Sequence, residues 1–269
     1  MLLDNFTKKA LLIMSLLTVF NYTAFAKQKL VIVADYWCPY NCEPRSNEEG
    51  YLVEIARYAL EKEDLEVEYE LRPWDQSVND FNEGNVDGVF GANDRDLTDP
   101  VLPLIHQAEG RIAAFTLKDT SWIYDGARSL DGKNIKIVEA YAYPTDIKSY
   151  IYSHYLSNPD QFHFSNSENA VKDGIDSLID EKVFTYIEDE NVVFHYAESK
   201  NITTLRHAGS VNRTPEKIYV AFSKANPNSH IYAKSVTTAM LELKSSGKLN
   251  ELKKKYNIKN YQDVAVLLK

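Results

Sequence analysis

The chain alternates between two hydrophobic periods, and this alternation restricts the fold more than any other feature. "KLVIVA", Lys29 to Ala34, is a continuous apolar run of the length of a buried strand. In "GYLVEIARYALEKE", Leu52, Ile55, Ala56, Ala59 and Leu60 then recur at helical spacing. "LEVEYEL", Leu65 to Leu71, alternates as a strand does, a short helix from Asp75 stops at Gly84, and "VDGVFGA" is a third strand over Val86 to Ala92. A β-α-β-α-β order requires crossover helices over a mainly parallel sheet. A second series begins with a strand in "IAAFTLKD" after Arg111 and continues with a strand Ile135 to Val138 and a helix starting near Thr145. It goes on with a helix ending near Glu181, a strand Val183 to Ile187 and a helix from near Glu190. A last strand, Ile218 to Phe222, precedes two amphipathic helices split by Gly247. The expected class is α/β, in two lobes.

The first 26 residues read as a leader. Lys8 and Lys9 precede the apolar run Ala10 to Phe20, and Ala24 to Ala26 close an A-x-A pattern, which together predict a secretory signal peptide cleaved after Ala26. The run is short for a membrane span. The mature chain, Lys27 to Lys269, is therefore expected in the periplasm.

Export bears on "VADYWCPYNCEP", which holds both cysteines. The motif is open to three readings: a redox centre, a metal clip or a structural staple. In an oxidising compartment nearby thiols normally pair, and a Cys38–Cys42 bridge requires a tight turn that Pro39 favours. Redox chemistry is disfavoured because no helix start follows to lower a thiol pKa and Glu43 would raise it. The six histidines are scattered, with none at metal-ligand spacing. No cofactor or metal is expected.

A formal charge of −9 without basic runs argues against nucleic acid or an anionic membrane as partner. No G-x-S-x-G, P-loop or H-E-x-x-H occurs. Eighteen tyrosines are many for this length, and aromatic groups often line small-molecule sites.

Four stretches resemble the solute-binding proteins of the polar-amino-acid type that serve ABC importers: "GYLVEIARYAL", "RPWDQSVNDFNEGNVDGVFGA", "EKVFTYIEDENVVFHYA" and "YVAFSKANPNSHIYAKSVTTAMLELKSSGKLNELKKKY". The resemblance implies a type II periplasmic-binding clamshell whose two lobes are joined by crossing strands, with the ligand in the cleft between them. Lobe 1 is placed at 27–115 and 218–269 and lobe 2 at 116–217, with crossings near Phe115–Lys118 and Val211–Tyr219. The implied activity is capture of a small polar ligand, an amino acid or related small acid, for the membrane subunits of an ABC importer. A monomer is expected. Alternatives are a dehydratase-like enzyme on the same scaffold, with Glu139, Glu188 and Asp189 as candidate groups, or a free-standing sensor subunit.

The resemblance also implies a ligand set. Tyr36, Trp37 and Tyr40 lie in the loop where relatives hold an aromatic residue over the ligand, so the cysteines would fix that loop. Trp74 matches the family's Trp before the short helix, or packs between core and surface. Asp189 matches the Asp that pairs with a ligand ammonium, or serves as a helix N-cap. Asn93 and Arg95 are further candidates. Arg95 comes too soon for the family's Thr-x-x-Arg carboxylate grip, so it either grips a carboxylate or pairs with Asp94 and Asp96; Arg111 is an alternative. The second-lobe Gly-rich turn is missing, and "VEAYAYPTD" presents Tyr141 and Tyr143 in its place, which puts a standard α-amino acid in doubt.

Overall fold

The structure is a computed structural model that describes residues 27–212 and 214–258. The leader expected over residues 1–26 lies outside the described residues. The first lobe opens with β1 (Gln28–Ala34), α1 (Tyr51–Leu60), β2 (Leu65–Leu71), α2 (Trp74–Glu83), β3 (Gly88–Ala92) and β4 (Ala108–Gly110). The second comprises β5 (Ile112–Leu117), β6 (Ile135–Val138), α3 (Thr145–Tyr155), β7 (Phe162–Ser165), α4 (Ala170–Ile179), β8 (Thr185–Asp189), α5 (Glu190–Ser199) and β9 (Leu205–Ser210). The chain then returns through β10 (Glu216–Phe222), α6 (Ser229–Ser245) and α7 (Lys248–Lys255).

Each lobe is built on a five-stranded mixed sheet, ordered β2-β1-β3-β10-β4 in the first and β7-β6-β8-β5-β9 in the second. The two repeat one plan. β1 lies parallel to β2 and β3, as β6 does to β7 and β8; a strand from the returning or crossing segment then adds antiparallel. The central parallel strands are buried, including all of β6, because helices cover both faces of such a sheet. Helix α1 buries Leu52, Ile55, Ala56 and Leu60 and packs against α6 through Val236, Ala239 and Leu243. Among the described residues no helix is long and apolar enough to cross a membrane.

The chain passes from the first sheet to the second between Gly110 and Ile112, upstream of the Phe115–Lys118 crossing expected above. The reason is that β5 pairs from Ile112 onward with both β8 and β9, so Phe115 belongs to the second sheet. The chain returns between the end of β9 at Ser210 and the start of β10 at Glu216, where the expectation was Val211–Tyr219. Three strands escaped the sequence reading: β4, β7 and β9 are short or polar, and their hydrogen-bonding neighbours hold them extended.

Gly174 on α4 lies against the ring of Tyr186 on β8, where an added Cβ would stand 2.3 Å from Tyr186 Cζ. Gly174→Ala is expected to lower stability by about 1–3 kcal/mol through overpacking, seen as a fall in Tm of several degrees. An unchanged Tm would contradict this packing.

Candidate functional site

The loop after β1 is a tight turn. Trp37 and Asn41 form an isolated antiparallel bridge, and Cys38 and Cys42 are joined by a disulfide with alpha carbons 4.5 Å apart. The Cys38–Pro39 peptide bond is cis. Hydrogen bonding docks this turn on the N-terminus of α1: the carbonyls of Pro39 and Tyr40 accept from the backbone N–H groups of Tyr51 and Leu52 at 2.9 Å each. These are helix-start donors with no partner inside the helix, so the loop caps α1 while α1 fixes the loop. The Asn41 side chain donates to the Asp35 carbonyl at 2.7 Å, and the Tyr69 hydroxyl to the Cys42 carbonyl at 2.9 Å.

From that platform the loop reaches across to the second lobe. Trp37 Nε1 donates to Glu188 at 2.9 Å, the Asn191 amide donates to the Tyr40 hydroxyl at 2.9 Å, and the His195 ring stands 3.2 Å from Cys38 Sγ. In the reverse direction the Tyr141 hydroxyl donates to Asp35 at 2.7 Å, and the Ala142 backbone N–H donates to Asp96 at 3.1 Å. Apolar packing follows the same seam, with Trp37 and Tyr40 in one buried cluster with Tyr186 and Val192. The two lobes are closed on each other.

Between them lies a cavity of about 50 Å³, lined from the first lobe by Asp35, Trp37, Trp74 and Asp96 and from the second by Tyr141, Tyr143 and Asp189. That is room for a few waters, so a larger solute must part the lobes to enter. The lining is acidic. Asp35 is 2% exposed, and burial, with Glu188 adding repulsion, pushes its carboxyl up to about 7 against the hydrogen bond from Tyr141. Burial also raises Asp96, to about 7, although two backbone N–H groups stabilise its ionised form. Asp189 is the last residue of β8 and the N-cap of α5: it accepts from the backbone N–H of Asn191 at 2.9 Å, Val192 at 3.2 Å and Arg111 at 2.8 Å. Burial and the neighbouring Glu188 still hold it well above the usual carboxylate range. Gly110 makes the approach of the crossing strand possible, since a Cβ there would lie 2.8 Å from Asp189 Oδ2.

A family model for the bacterial extracellular solute-binding proteins, family 3, matches residues 30–259. The chain belongs to this family. Among solved structures, this solute-binding protein is similar to an amino acid ABC transporter substrate-binding protein from Streptococcus pneumoniae bound to L-arginine. That likeness has a TM-score of 0.67 at 17% identity, over 87% of this chain and 98% of the other. A putative L-cystine ABC transporter protein from Listeria monocytogenes superposes with a TM-score of 0.68 at 14% identity, over 85% and 95% of the two chains. A histidine kinase sensor domain with similarity to periplasmic binding proteins gives 0.67 at 15% identity, over 86% and 96%. At these identities the likeness concerns the fold, which is the two-lobed α/β fold expected from sequence. No curated protein sequence matches the chain.

The cleft between the lobes gathers most of the residues singled out from sequence. Trp37, Trp74, Asn93, Tyr141, Tyr143 and Asp189 all line the cavity. Tyr40 lies behind it, fully buried, donating to the Glu109 carbonyl. Tyr36 points its half-buried side chain elsewhere and bonds through its backbone to the Glu168 carbonyl of the second lobe. Arg95 lies at the rim and pairs with Glu216 at 2.6 Å, not with Asp94 or Asp96. Arg111 contributes its backbone N–H to Asp189. Glu139 is exposed and outside the cavity. Sequence reading missed Asp35 and Asp96. The signal for Asp35 is its place at the carboxyl end of a buried parallel strand, where open α/β sheets bind ligands; Asp96 stands out in sequence only as a neighbour of Arg95.

Two expectations follow. Asp35 and Asp96 hold protons in the closed cleft up to about pH 7, whereas hydrated carboxylates titrate near 4. Closure therefore takes up protons; its advantage is complete below about pH 4 and fades as pH rises through 7. Small-angle scattering of the ligand-free protein should show a larger radius of gyration at pH 8.5 than at pH 5, and compaction with rising pH would refute the assignment. Replacing both cysteines by serine removes a short-loop constraint of about 2 kcal/mol. Urea unfolding should report a loss of that size, and no loss would mean that the turn is held without the bridge.

Proposed function

We propose that this protein captures a small polar solute of amino-acid size between its lobes and hands it to the membrane subunits of an ABC importer. The observation that carries the reading is the seam itself: hydrogen bonds between the lobes surround the cavity, so whatever occupies it sets the balance between open and closed. Tyr141–Asp35 joins two residues of the cavity wall and is a pair that a bound solute can replace or reinforce, while Trp37–Glu188 and Asn191–Tyr40 hold the lobes together beside it. Hinge motion then needs the chain to change its backbone angles where it passes between the two sheets. The protein acts in the periplasm as an exported monomer, and the disulfide suits that compartment.

One observation favours an enzymatic alternative. Two cleft carboxyls poised near neutrality, Asp35 and Asp96, have the titration range that general acid–base chemistry uses. Recovery of the solute separates the two readings. The oxidised mature protein is screened by thermal shift against amino acids, amines, dipeptides and organic acids. A ligand at roughly 1,000 times its Kd should add about 4 kcal/mol and raise Tm by several degrees. Incubated overnight and re-extracted, it should return unchanged. A changed product would establish the enzyme reading, and a flat screen would count against small-molecule capture.

A further inference from the structure

We infer that the solute is an organic amine with net positive charge and no carboxylate, its remaining polar atoms being neutral acceptors such as hydroxyl or amide oxygens. This rests on the reading of the cleft as the solute site and narrows its ligand. Four carboxylates line the cavity: Asp35, Asp96, Asp189 and Glu216. Among the described residues no lysine or arginine lines it, and Arg95 at the rim is already paired to Glu216. A ligand carboxylate brought here would add a further acid to a desolvated, acid-lined site whose lining supplies no lysine or arginine to offset it. An ammonium group instead gives Asp35 and Asp189 a counter-charge, and removes the need for Asp35 to stay protonated.

Two further features shape the rest of the molecule. Trp37, Trp74 and Tyr141 line the cavity, and each indole stands nearly perpendicular to the Tyr141 ring, at 6.5 and 6.0 Å between centroids. Such rings attract a cation at their faces. Trp74 is 4% exposed and its Nε1–H is buried without an acceptor, a costly state that a neutral oxygen on the solute would relieve. A bare metal ion satisfies neither feature, and among the described residues no group of three His, Cys, Asp or Glu side chains converges to hold one.

Matched pairs test this inference. Thermal shift and calorimetry on the oxidised mature protein compare lysine amide with lysine, arginine amide with arginine, and glucosamine with N-acetylglucosamine. A carboxylate-free cation from this set should bind at least tenfold more tightly than its zwitterionic or uncharged counterpart. Asp35→Asn supplies the second arm. Because burial already favours the neutral form of Asp35, this variant should keep its apo Tm at pH 8 or raise it, yet lose the amine at least tenfold. If a free amino acid or an anion binds and the amides do not, the cleft is still a solute site and the charge inference is overturned. Unchanged amine binding by Asp35→Asn overturns it as well. If no member of either half of any pair binds, both the inference and the capture reading fail.

Discussion

The burial of carboxylates at the seam between the lobes is the constraint on which the rest of this structure depends. Desolvating an ionised carboxylate costs several kcal/mol unless a cation or a set of donors replaces the lost water. This protein meets that cost differently at each position. Glu188 accepts from Trp37, Tyr186 and the Asp189 backbone, and Asp189 accepts from three backbone N–H groups at the start of α5. The Tyr141 hydroxyl that donates to the Asp35 carboxylate comes from the opposite lobe. In the closed arrangement Asp35 is buried and its partner is supplied by the facing lobe.

That arrangement requires the loop after β1 to be rigid. Trp37 must present its indole N–H to Glu188 while the alpha carbon of Asp35 stays in line with β1. The disulfide, the Trp37–Asn41 bridge and the cap on α1 together remove the loop's freedom before any solute arrives. A preorganised loop loses little entropy on closing, which leaves more of the interaction energy for binding. Gly110 permits the close approach of the first crossing to Asp189, which lines the cavity.

Much of the fold was legible because its strands and helices differ cleanly in hydrophobic period. β2 and β6 have the boundaries expected from alternation and apolar run, and Gly84 and Gly247 mark a helix end and a helix start. What stayed hidden was set by neighbours more than by local pattern: β9, "LRHAGS", carries no strand signature and is extended because β5 pairs with it. The site divides in the same way. Aromatic loop residues and Asp189 stand out against a motif, so they could be named from sequence. Asp35 looks like any acid after a strand, and only closure of the lobes reveals that it is buried and bonded to a tyrosine more than a hundred residues away. Arg95 shows the converse, since its partner Glu216 lies on the returning strand and no local spacing indicates it.

The most direct test is a carboxyl titration of Asp35. Carbon-13 NMR of the ligand-free, oxidised mature protein, with Asp35→Asn to assign the resonance, reads its pKa in place. A midpoint near 7 would show that the cleft closes over an acid with no cation to balance it, as the account requires. A midpoint near 4 would mean that the carboxylate is hydrated or paired, and the description of the seam as an uncompensated acidic site would be wrong.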